Sequence, residues 1–111
     1  MSALVEKIRR AREMRVETGG FAFTVRRPTD IEMMELRGGG SIARLLPFVT
    51  GWDGVKEADL IAGGDPHPLP FDAAACAEWL SDRPDLLEPI VERIMDSYKA
   101  HADTLAATQK K

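Results

Sequence analysis

Phe48-Val49-Thr50-Gly51-Trp52-Asp53-Gly54-Val55 puts a short apolar entry in front of a glycine-flanked tryptophan. Phe48 to Thr50 reads as an extended piece, and Gly51 and Gly54 let the backbone reverse tightly around Trp52. Beyond it, residues 62–70 (Ala-Gly-Gly-Asp-Pro-His-Pro-Leu-Pro) form a loop, because glycine and proline at this density break both helix and strand. Both tryptophans, the only tyrosine and two of the four phenylalanines lie between Phe48 and Tyr98. A short chain that gathers its large side chains in this way is building a small helical core or a partner-binding face.

The segment after the loop is helical. Asp72 is a good N-cap, and Phe71 before it is placed to close a hydrophobic staple with Cys76. The helix that follows, about 73–81, points Cys76, Trp79 and Leu80 inward. Leu86, Leu87, Ile90, Val91, Ile94, Met95, Tyr98 and Leu105 then recur at steps of three and four, the stripe of a second amphipathic helix. Asp85-x-x-Glu88 has the pattern of a capping box, which puts Pro89 in the first turn. The end from about Thr104 is expected to fray.

Towards the N-terminus, Leu4, Ile8 and Ala11 behind Ser2 predict a short helix over roughly 3–13. Phe21, Phe23 and Val25 alternate after Gly19-Gly20, the signature of a hairpin with a tight two-residue turn. Two strands alone are marginal in water, so this apolar face must pack on the helices. Thr29-Asp30-Ile31-Glu32 matches a capping box and opens a helix that stops at Gly38-Gly39-Gly40. That triple glycine is a hinge or loop and a poor phosphate loop, having no strand before it and no Lys-Ser/Thr after it. Ser41 to Leu46 gives further helical turns before Pro47. The fold expected is therefore mainly α (α+β): one domain over 1–111, with a helix, one N-terminal β-hairpin and short helices in 1–47. Residues 48–103 supply the Trp turn, the loop and two C-terminal helices, and 104–111 a frayed tail.

At 111 residues, 44% hydrophobic and 30% charged, the chain has the size and balance of one globular domain with a modest core. Its net charge of −3 is uneven: residues 1–50 hold nine Lys/Arg against six Asp/Glu, and residues 51–105 hold four against twelve. The acidic half repels phosphate backbones and argues against nucleic acid as a partner. Arg9, Arg10, Arg12 and Arg15 read as a solvated helix face or as contacts to an acidic partner. No apolar run reaches the ~18 residues of a membrane span, and the mixed charges at the start do not resemble a secretory signal. One cysteine, Cys76, fits a reducing compartment, so the cytoplasm is expected.

Residues suited to bond-breaking chemistry do not group. His67 lies in the proline loop with Asp65 its one companion, and His101 lies on a polar helix end; neither spacing makes a metal site. Cys76 beside Trp79 reads as a small buried hydrophobe. Asp82/Asp85 and Glu88/Glu92 fall where helix ends and solvent faces want carboxylates. No catalytic, cofactor or metal residues are therefore assigned. Trp52, Phe71, Trp79 and Tyr98 have two compatible readings: core of a small domain, or, for Trp52 above all, a half-buried anchor with one edge presented to a partner.

Residues 48–98 resemble the tail assembly chaperones of long-tailed phages, prophages and gene-transfer agents. The resemblance rests on Val49-Thr50-Gly51-Trp52-Asp53-Gly54-Val55, Pro70-Phe71-Asp72, the helix with Trp79-Leu80, and the closing helix with Ile90, Ile94 and Tyr98. It implies a non-enzymatic protein of the host cytoplasm that binds the tape-measure protein while tail-tube protein polymerises around it. Such a protein is absent from the mature virion. The surface expected to meet the partner is Trp52, Asp53, Phe71, Trp79 and Tyr98. In such families a longer frameshifted product is common, and Gln109-Lys110-Lys111 is compatible with an A-rich slippery run or with a plain charged tail. The alternatives are a head–tail completion or minor tail component of the virion, and a small bacterial adaptor or regulator.

Overall fold

The structure, a computed structural model, describes residues 2–37 and 42–109. It is mostly helical with a single three-stranded antiparallel sheet, an α+β domain as the sequence predicts. Helix α1 (Ala3–Ala11) starts at Ser2, whose Oγ accepts from the amides of Leu4 and Val5. Strands β1 (Glu13–Thr18) and β2 (Phe21–Arg26) form the expected hairpin, with Glu13 opposite Arg26 and Thr18 opposite Phe21. Gly19 and Gly20 turn it with φ of 59° and 86°, the left-handed pair that a tight hairpin turn demands.

Helix α2 (Asp30–Leu36) carries the predicted capping box in full: Glu32 N donates to Thr29 Oγ1 at 3.1 Å, and Thr29 N donates to Glu32 Oε1 at 2.9 Å. The glycines expected to end this helix, and Ser41, lie outside the described residues. A 3₁₀ segment over Ile42–Phe48 runs through Pro47, where a stop was expected. Proline's φ, fixed near −65°, lies within the 3₁₀ range, so its ring fits the closing turn at the cost of one amide donor.

The sheet departs from the expected two strands. Val49–Asp53 is not an entry to a turn but a third strand, β3, antiparallel to β2, so the order is β1-β2-β3. Trp52 therefore stands within a strand, opposite Phe23, and the reversal comes after it at Gly54, whose φ is 76°. The register slips between Thr24 and Val25. Val49 and Trp52 are three apart, and side chains alternate sides along a strand, so only an extra residue brings both to the inner face. Thr50 is that residue, exposed and donating from Oγ1 to the Thr24 carbonyl at 3.4 Å.

A four-residue helix α3 (Glu57–Leu60) follows, its start fixed by Lys56 N donating to Asp59 Oδ2 at 2.9 Å. Helix α4 (Ala73–Ser81) begins at Asp72, whose Oδ1 accepts from Ala75 N at 3.0 Å, and buries Cys76, Trp79 and Leu80 as expected. Helix α5 (Pro84–Gln109) starts earlier than the expected box at Asp85: Pro84 takes the first position, where its missing amide hydrogen costs nothing. Asp85 is instead forked to Arg83 at 2.9 and 3.0 Å, and Pro89 lies in the second turn. Helix α5 continues to Gln109, with the Thr104 and Thr108 hydroxyls donating to carbonyls one turn back.

Helices α4 and α5 cover one face of the sheet. The core is Phe23 and Val25 from β2, Val16 from β1, Val49 from β3, Leu45 and Phe48 from the 3₁₀ segment, and Leu80, Leu86, Ile90 and Ile94 from the helices. Glu13, Arg15 and Glu17 point from the opposite face into solvent, the alternation of a sheet covered on one side.

Candidate partner-binding site

Five aromatic side chains meet at the hairpin end of the sheet. Trp79, buried on α4, takes Phe21 edge-on at 5.0 Å between ring centroids, with Phe23 at 6.0 Å and Trp52 at 6.2 Å. Phe71 stands edge-on to Trp52 at 5.1 Å. Edge-to-face packing sets the positive rim of one ring against the negative face of the next, so the cluster is fixed in geometry as well as buried. Phe71, read as a staple partner for Cys76, thus has its ring against Trp52.

Trp52, like Phe21 and Phe71, is partly buried, whereas Phe23 and Trp79 are buried. Trp52 Nε1 donates to the Leu69 carbonyl at 3.0 Å, and Leu69 N donates to the Val55 carbonyl at 2.7 Å. These bonds tie the proline loop to the strand. The Trp52 ring is held by its hydrogen bond and packs near-perpendicular to Phe71 and Trp79, leaving only part of it exposed.

Of the five residues expected to form the partner surface, Trp52, Phe71 and Trp79 come together. Asp53 follows Trp52 at the exposed end of β3, 3.7 Å from Arg15 Nη1. Tyr98 does not join them. It lies far along α5, where its hydroxyl donates to Asp30 Oδ1 at 2.9 Å, and that bond raises its pKa. His101 Nε2 reaches the same carboxylate at 3.4 Å, so Tyr98 and His101 together pin α5 to the start of α2.

Asp65 and Cys76 are shifted by local contacts and by burial. Asp65 accepts from His67 N at 2.8 Å and meets its Nδ1 at 2.6 Å, bonds that hold its carboxyl below the usual carboxylate range. Burial pushes the Cys76 thiol up to about 11, so at neutral pH it is a protonated, unreactive filler of the core. Among the described residues, no three or more His, Cys, Asp or Glu side chains are grouped to hold a metal ion, and no helix is long and apolar enough to cross a membrane.

Two surface features lay beyond the sequence reading. The apolar residues of α1 face solvent instead of the core, which spacing alone does not reveal. Helix α3 spans barely one turn, too short to show periodicity, yet it makes one wall of a cleft against α4. No family model, curated protein or solved structure matches the chain.

Proposed function

We propose that this chain is a non-enzymatic tail assembly chaperone of long-tailed phages, prophages or gene-transfer agents. In this reading it binds the tape-measure protein in the host cytoplasm while tail-tube subunits polymerise, and it leaves before the virion is complete. The observation that carries the reading is Trp52: a large aromatic, partly exposed, fixed by the Leu69 carbonyl and backed by Phe71 and Trp79. Rings held this way lose little freedom on binding, the property of an interface anchor. The resemblance over residues 48–98 supplies the partner. An unassembled tape measure exposes apolar helical stripes that aggregate, and a small protein with an apolar, acidic-rimmed surface covers them reversibly.

The test is co-expression of this chain with a tape-measure protein of a long-tailed phage. The expected result is a soluble complex, together with absence of the chain from purified particles. A tape measure equally insoluble with and without the chain overturns the reading. Fixed stoichiometry in finished particles makes the chain a virion component instead.

A further inference from the structure

Of the surfaces on which the described residues leave apolar side chains exposed, two carry opposite charge. The first is α1, in which no residue is buried. Leu4 and Ile8, 65% and 45% exposed, lie one turn apart on the same side of the helix with Val5 beside them. A surface helix of a globular domain ordinarily turns such a stripe towards the core. Residues 2–12 also carry Lys7, Arg9, Arg10 and Arg12 against Glu6 alone, a net charge of +3.

The second surface is the cleft between α3 and α4, about 450 Å³ in volume. Leu60, Ile61 and Trp79 give it apolar walls, and Ile61 is 60% exposed. Asp59, Glu78 and Asp82 supply its acidic groups. Arg83 also lines it, but its guanidinium is already forked to Asp85.

One copy cannot bring the two together. The end of α1 lies beside Arg93, Ser97 and Ala100 of α5, whereas the cleft reaches Arg83, just before α5 begins. At 1.5 Å per residue, that is roughly 15–25 Å along the helix. Arg12 alone links α1 to β1, and its carbonyl is held by Arg27 N at 2.8 Å, so α1 has no slack to swing across.

We propose that α1 of one copy docks into the α3–α4 cleft of a second copy, so that the chain self-associates head to tail. Leu4 and Ile8 pack on Leu60 and Ile61, and Lys7, at the edge of that stripe, faces Glu78 and Asp82. The contact joins different patches on the two copies, and each docked copy keeps a free α1 or a free cleft for the next. A nine-residue helix in a shallow cleft buries less than the ~1,200 Å² of a standard interface, so the association is weak and driven by concentration. Charges at its rim make it sensitive to salt. The inference stands independently of the chaperone reading.

Sedimentation of the full chain over roughly 10 μM to 1 mM, a range that brackets weak interfaces, tests it. The average mass is expected to rise above 12.3 kDa with concentration, and about 0.5 M NaCl to weaken association at least ~10-fold. Ile8→Asp and the double change Glu78→Lys/Asp82→Lys should each leave a folded monomer by circular dichroism. Mixed in equal amounts, these two variants should form a one-to-one dimer, because the mixture restores one intact helix and one intact cleft. A wild-type chain that stays monomeric throughout overturns the proposal. So do variants that associate as well as wild type, or a mixture that stays monomeric.

Discussion

Arg26 and Glu32 meet fork to fork, with both N···O distances at 2.8 Å, and the same guanidinium lies 4.4 Å above the ring of Phe48. One side chain thereby joins the end of β2, the first turn of α2 and the 3₁₀ segment. Glu32 also accepts from Thr29 N, so its carboxylate closes the cap and the ion pair together.

The paired guanidinium, ahead of the bond from Thr29, lowers the Glu32 pKa from 4.5 to about 2. A carboxyl depressed on folding contributes stability above its unfolded value and loses it as pH falls through its folded one. Thermal melts should therefore show wild type losing its advantage over Glu32→Gln between about pH 5 and pH 2. The two curves should converge at the acid end. At pH 7 the variant should be less stable by about 1 kcal/mol, since the pair is about one-third exposed and solvent screens it.

Trp52 separates packing from hydrogen bonding. Trp52→Phe keeps a ring against Phe71 but leaves the Leu69 carbonyl unpaired, a loss of about 1 kcal/mol in urea denaturation. Trp52→Ala should cost about 2–3 kcal/mol, because the cluster also loses a wall. In titrations with tape-measure fragments, Trp52→Ala should weaken capture by more than its stability loss accounts for. Equal losses of binding and stability would make the ring core alone.

A methyl group added at Gly19 would run into Leu86 Cδ2, whereas one at Gly20 would meet nothing within 4 Å. Both residues have positive φ, so both alanine variants carry the backbone cost of about 1 kcal/mol. Only Gly19→Ala also displaces a side chain packed in the core. Its loss of stability should exceed that of Gly20→Ala by roughly 1–2 kcal/mol, the usual cost of overpacking.

Cys76 is 2% exposed. Native protein at pH 8 should react with an aromatic disulfide reagent only as fast as it opens, and unfolded protein at once. The labelling rate should rise with urea in step with the unfolding transition. Immediate stoichiometric labelling of folded protein would contradict the burial.

The helices and the hairpin were legible because each obeys a local rule: Ser2, Thr29 and Asp72 cap as their side chains dictate, and Phe21, Phe23 and Val25 alternate. Strand β3 was not, because Val49 and Trp52 share a face only through the extra residue at Thr50, and a bulge erases the alternation that marks a strand. Trp52, Phe71 and Trp79 meet in space because neighbouring elements bring them together. Tyr98 lies apart from them, because distance along a long helix is not visible in its stripe. The cleft beside α3 depends on how a one-turn helix is set against α4, which no local pattern encodes.

The bulged pairing of β2 with β3 also orders events in time. The β1–β2 hairpin closes around two glycines, a microsecond step, whereas β3 reaches β2 only after residues 27–48 have been looped out. Sheet assembly in refolding is therefore expected to start at Gly19-Gly20 and finish at Trp52. The indole that donates to the Leu69 carbonyl sits on that last strand, and in a Trp79→Phe background its fluorescence should report the completed fold.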